Sequence, residues 1–146
     1  MQQPELTRIF VYSSLRRGFN SPAYSYISQY FDFVGNGTTS GCLHDMGHIA
    51  VGFSKPGCTQ KIVGELYEIR NVEEFAWAIA QLDDYEGVNP SYDEEKFYYR
   101  DRTIVELEDG TRHEAWVYWY ARPLEGYPVV ESGDVLEFFN RKYGSN

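Results

Sequence analysis

Glu86 is the residue of this 146-residue chain whose type and position most plainly suggest chemistry. It ends the run Leu82-Asp83-Asp84-Tyr85-Glu86, just before Gly87. Upstream, Val72, Phe75, Ile79 and Leu82 recur at helical spacing and define one face. At about 100° per residue, Glu86 projects between Phe75 and Ile79 and so toward the core. It also falls in the last turn, where the helix dipole is negative. Burial and dipole both disfavour the ionised form, so its pKa is expected to be raised. A carboxyl held near neutrality suits general acid–base catalysis. Periodicity alone leaves another reading open, in which the helix frays before position 86 and the acid is exposed. Asp83 lies near the same face and reads as a structural acceptor, for instance for backbone amides of a neighbouring loop. Asp84 does not share that face.

The elements that must position Glu86 follow from local pattern. Asn71 is a good N-cap, and Glu74 three residues later has capping-box spacing. Gly87 supplies a stop. Arg8 to Tyr12 (Arg-Ile-Phe-Val-Tyr) reads as a buried strand. Ser21-Pro22 opens a short helix running to about Tyr30. Phe31 to Cys42 carries Gly35, Gly37 and Gly41 and reads as strand with bulges or turns. Ile49 to Phe53 and Ile62 to Ile69 are further strands. Phe97 to Leu107 and Arg112 to Tyr120 form a strand pair across Glu-Asp-Gly-Thr, with Asp109-Gly110 as the turn signal. Asp134 to Tyr143 is a terminal helix. Many strands with a few helices inserted imply an α+β fold with a curved sheet or small barrel.

Composition narrows the function. A 146-residue chain fits one domain, taken here as residues 1–146. Aromatic residues make up 17%, with 13 Tyr, which suits a pocket wall as well as a core. The formal net charge of -9 offers no basic patch for phosphate neutralisation, so nucleic acid is not the expected partner. No apolar run approaches the ~20 residues of a membrane span, and the N-terminus lacks signal-peptide character. Cys42 and Cys58 form no CxxC pair, and two free thiols in a reducing cytoplasm are expected, although one disulfide remains open. The oligomeric state is not set by the sequence.

Several motifs, in this order, resemble the γ-glutamylcyclotransferase-like family. Tyr12-Ser13-Ser14-Leu15 resembles the family's Tyr-Gly-(Ser/Thr)-Leu loop after the first strand, and Leu82-Asp83-Asp84-Tyr85-Glu86-Gly87 matches its Leu-Asp-x-x-Glu-Gly. Gly64-Glu65-Leu66-Tyr67 looks like its central strand. Tyr98-x-Arg100 with Val105-Glu106-Leu107, then Glu114-Ala115-Trp116-Val117-Tyr118, resembles its closing strands. The resemblance runs from about Arg8 to Tyr120. It implies a small, mostly antiparallel or mixed β-barrel flanked by a few helices. It also implies an intramolecular aminolysis that converts a γ-glutamyl amine or γ-glutamyl amino acid to 5-oxoproline, with no cofactor. Glu86 would be the general acid/base. Ser13, Ser14 and Leu15 would present backbone N–H donors, which suit a carboxylate or a developing oxyanion. Tyr12 would line the pocket, and Tyr98 would be a further substrate contact. The Leu-Arg-Arg-Gly continuation looks more like the γ-glutamylamine branch than the glutathione-specific one.

Two departures stand out. Ser13 occupies the usual Gly position, and Gly47-His48-Ile49-Ala50 lacks an expected Pro. The rival reading is a binding module with the same fold and pocket but no turnover. A third is an enzyme acting on a protein-linked or antibiotic-linked γ-glutamyl group. His44, His48, Cys42 and Cys58 match no standard zinc spacing, so no metal is expected. Ser13 and Ser14 lack a nucleophile-elbow pattern.

Overall fold

The computed structural model describes residues 6–12, 22–45, 50–53, 60–86, 98–121, 127–130, 133–135 and 137. The strands are β1 (Arg8–Val11), β2 (Phe31–Ser40), β3 (Cys42–Asp45), β4 (Ala50–Phe53), β5 (Lys61–Ile69), β6 (Tyr98–Leu107) and β7 (Arg112–Tyr120). The helices are α1 (Pro22–Tyr30) and α2 (Phe75–Glu86), the latter preceded by a 3₁₀ turn over Val72–Glu74. The order β1-β5-β2-β6-β7 closes into a barrel, and β3 pairs with β4 in a separate two-stranded sheet. Every barrel ladder is antiparallel except the closing one, where Ile9 pairs with Trp116 in parallel. This is the α+β fold with a small mixed barrel and flanking helices expected above.

The apolar run of β1 has a simple cause: both of its faces are covered. Phe10 and Tyr12 point inward with Leu66, Val105, Val117 and Trp119. Ile9 and Val11 point outward with Tyr67, Ile69 and Tyr118, under Ile27 of α1 and Phe75, Ala78, Ile79 and Leu82 of α2. Phe31, at the start of β2, meets Phe75 of α2, their rings 6.4 Å apart edge to face. Gly64 is required by close approach. A Cβ there would stand 2.4 Å from the Val11 carbonyl oxygen and 2.6 Å from the Phe10 ring.

Local signals placed most elements well. β2 carries its irregularity between Phe33 and Gly35, as its glycines suggested. The β6–β7 turn uses Gly110 at φ +88, and the Gly110 amide donates to the Leu107 carbonyl. Asn71 does cap, but its side chain accepts from the Glu73 amide, and a 3₁₀ turn precedes the α-helix. Val72 is corrected: it is 62% exposed, because the packed face of the helix begins at Phe75. Of the terminal helix, Val135 is buried and the Glu137 amide donates to Asp134 Oδ1 at 3.2 Å; the remainder lies outside the described residues.

Cys42 is disulfide-bonded, which corrects the expectation of two free thiols and removes the ground for expecting a reducing compartment. The chain's one other cysteine, Cys58, lies outside the described residues. Among the described residues no helix is long and apolar enough to cross a membrane.

Candidate active site

The outward faces of β1, β7 and β6 come level at the end of β1. Val11 pairs with Glu65 of β5, and Arg100 of β6 pairs with Tyr118 of β7. Since Ile9 pairs with Trp116 in parallel, Val11 and Tyr118 stand two residues further on at the same level. The chain therefore leaves the barrel at Tyr12 beside Tyr118. α2 lies over this face.

One carboxylate organises the cluster. Asp83 is 6% exposed, so its charge requires partners. It receives two bonds from Arg100, Nε to Oδ1 at 2.8 Å and Nη2 to Oδ2 at 3.2 Å. The Tyr118 hydroxyl adds a third, donating to Oδ1 at 2.8 Å. The fork of a guanidinium matches both carboxylate oxygens, which fixes orientation as well as charge. The Arg100 guanidinium carbon itself lies over the Trp116 ring, 4.4 Å from its centroid. Trp116 Nε1 in turn donates to the Leu6 carbonyl at 2.8 Å. Asp83 is thus a structural acceptor as expected, but its described partners are side chains of β6 and β7 rather than loop amides. The reason is tertiary: α2 lies across the barrel strands, which present Arg100 and Tyr118 to it.

Tyr12 points into the barrel interior, and its hydroxyl donates to the Tyr118 backbone carbonyl. Tyr118 therefore holds the end of β1 through its backbone and the end of α2 through its side chain. Tyr98 is half-buried, with its ring 5.4 Å from that of Tyr120, edge to face. It packs where the helix-covered core meets Val51 and Phe53 of β4. The backbone of Glu86 is the last residue of α2, one turn beyond Asp83. Its side chain lies outside what is described, as do Ser13, Ser14 and Leu15.

A second buried carboxylate sits at this level. Glu65 is 3% exposed and accepts from the Tyr67 hydroxyl at 2.9 Å. Sequence reasoning gave no role to Glu65, Arg100 or Tyr118. Their signal was present in the Gly-Glu-Leu-Tyr, Tyr-x-Arg and Trp-Val-Tyr stretches, but only the barrel register brings them together.

Of the four residues weighed as metal ligands, His48 and Cys58 lie outside the described residues. His44 Nδ1 meets the Tyr127 carbonyl at 3.1 Å, and Cys42 is in a disulfide. Two clefts lined by described residues lie elsewhere, on the outer face of β2, β5, β6 and β7; one, of 210 Å³, is bounded by Lys61, Arg112 and Glu106.

Comparison with known proteins agrees with this architecture. The family model described as "Gamma-glutamyl cyclotransferase, AIG2-like" matches residues 9–137. A candidate gamma-glutamylcyclotransferase of Methanocaldococcus jannaschii is 32% identical over 131 residues, covering 89% of this chain and 96% of its own. Among solved structures, a mouse AIG2-like protein superposes with a TM-score of 0.64 at 26% identity, covering 88% of each chain. Bacillus subtilis YkqA superposes with a TM-score of 0.70 at 20% identity; it covers 97% of this chain, which spans 44% of YkqA. The chain belongs to the γ-glutamyl cyclotransferase, AIG2-like family.

Proposed function

We propose that this protein is a cyclotransferase that converts a γ-glutamyl amine or γ-glutamyl amino acid to 5-oxoproline. The observation that carries the reading is the convergence of Tyr12 and Asp83 on Tyr118. It brings the strand end that precedes Ser13-Ser14-Leu15 and the helix end that carries Glu86 to one face of the barrel. Membership of the family supports the same chemistry.

In this reading the free α-amine of the substrate attacks its own γ-carbonyl carbon. A carbon–nitrogen bond closes the five-membered ring, and the bond to the outgoing amine breaks. One proton leaves the attacking nitrogen and one reaches the departing nitrogen. A single carboxyl within reach of both can carry it, and Glu86 is assigned that role. Backbone N–H groups of Ser13, Ser14 and Leu15 stabilise the developing oxyanion, Tyr98 forms an aromatic wall, and Tyr12, its ring packed inside the barrel rather than lining the pocket as expected, anchors the start of the loop. The nucleophile belongs to the substrate, so the reaction calls for no cofactor. Holding the substrate curled supplies much of the rate through high effective molarity.

The test is an assay for 5-oxoproline with a panel of γ-glutamyl amines, γ-glutamyl amino acids and γ-glutamyl-bearing peptides. Glu86→Gln is expected to lower kcat by roughly 10²–10⁴-fold. Equal activity of variant and wild type would overturn the mechanism. Ser13, standing where the family usually has Gly, favours a second reading as a non-catalytic binding module. Tight binding of a γ-glutamyl ligand without turnover would establish that one.

A further inference from the structure

We infer that Tyr118 and Asp83 are positioning residues: Tyr118 fixes the spacing between the end of β1 and the end of α2, and so sets where Glu86 meets the substrate. The inference rests on the cyclotransferase reading and deepens it. Three hydrogen-bonding groups carry it. The Tyr12 hydroxyl donates to the Tyr118 carbonyl, the Tyr118 hydroxyl donates to Asp83 Oδ1, and Arg100 grips both oxygens of Asp83. Tyr118 is 5% exposed and Asp83 6%, so neither group is placed to touch a ligand in bulk solvent. Their value is geometric. A hydrogen bond between buried groups has a narrow range of lengths and angles, and a charge-assisted one is stronger still.

The lever is short. α2 is continuous from Phe75 to Glu86, so Asp83 and Glu86 are one helical turn apart, separated by about 4.5 Å along the axis. Nothing between them can absorb a shift without breaking the helix. Releasing Asp83 from β7 therefore loosens Glu86 directly. The Tyr12 arm is equally short, since Ser13 is the next residue in the chain. Proton transfer tolerates little error in position, and a displacement of about 1 Å can lower a rate by roughly 10²-fold.

Tyr118→Phe separates the two arms. It deletes the bond to Asp83 but keeps the ring, its volume and the backbone carbonyl that Tyr12 uses. Wild type, Tyr118→Phe, Asp83→Asn, the double variant and Glu86→Gln are compared in the 5-oxoproline assay, with amide hydrogen exchange on each. In Tyr118→Phe, kcat is expected to fall about tenfold or more while KM stays within about twofold. Amides of Asp84, Tyr85 and Glu86 are expected to exchange about tenfold faster, with those of Ile79 and Ala80 unchanged. The double variant is expected to lose less than the product of the single losses, because both remove one link.

Full kcat in Tyr118→Phe beside an inactive Glu86→Gln overturns the inference and leaves the cyclotransferase reading standing. A loss of thermal stability with kcat intact, the mark of a merely structural bond, overturns it as well. If wild type turns over no substrate, the cyclotransferase reading fails instead. The exchange data then decide the coupling alone: faster exchange confined to residues 84–86 supports it, and unchanged exchange overturns it.

Discussion

The Tyr118 hydroxyl lies 2.8 Å from Asp83 Oδ1 and ties the last turn of α2 to the barrel wall. Removing the carboxylate would leave Arg100, with its side chain only 24% exposed, without its described counter-charge. A part-buried cation that loses its partner costs more than the bond itself. Asp83→Ala is therefore expected to destabilise the fold by about 2–4 kcal/mol. Urea unfolding of the variant beside wild type measures it. Arg70 provides the contrast. Its partner Asp32 is 62% exposed, and Asp32→Ala is expected to cost about 0–1 kcal/mol.

Gly64 is expected to accept no side chain. Gly64→Ala places a methyl group against the Val11 carbonyl and the Phe10 ring, at 2.4 and 2.6 Å, in the filled interior of the barrel. Neither neighbour is a flexible chain end, so strands must shift. A loss of about 1–3 kcal/mol is expected, read as a lowered thermal midpoint.

Reduction is expected to weaken the protein. Cys42 is bonded, and the chain has two cysteines, so thiol titration of the untreated protein should find none free. A disulfide that closes a loop of roughly 15 residues is worth about 3 kcal/mol through the entropy of the unfolded chain. Reductant, or Cys42→Ser, should lower the thermal midpoint accordingly. No change on reduction would refute this.

Alkaline pH is expected to loosen α1. Burial, with a smaller push from Tyr30, raises the Tyr26 pKa to about 12, and its hydroxyl donates to the Ala78 carbonyl of α2 at 3.3 Å. The unfolded phenol ionises near 10. Below that value both states are protonated and the contribution is complete. Between about 10 and about 12 the unfolded state loses its proton first, so stability falls as pH rises. Urea unfolding at several alkaline pH values should show this, and Tyr26→Phe should remove it.

The opposite sign is expected at the β6–β7 turn. The Thr111 hydroxyl and then its amide, at 2.6 and 2.9 Å, hold the Asp109 carboxyl below its usual range. The turn gains from the ionised form above the unfolded value near 3.9 and loses that gain as pH falls through the folded one. An acid titration followed by the amide signals of Asp109 and Thr111 should show the loss, and Asp109→Asn should abolish it.

Amino-acid order alone determined the elements, because capping, turn geometry and apolar period act over a few residues. Asn71, Asp109-Gly110 and the run of β1 each announce their structure locally, and the spaced motifs identified the family and singled out Glu86. Partners were beyond its reach. Asp83 takes Arg100 and Tyr118 rather than loop amides, Val72 misses the packed face, and Cys42 is oxidised. Each depends on register and closure. Arg100 reaches Asp83 only because β6 pairs with β7 at Tyr118, and Tyr12 meets Tyr118 only because β1 closes the barrel in parallel with β7. Such meetings join groups distant in the chain, and their energy is realised only when the whole barrel has formed.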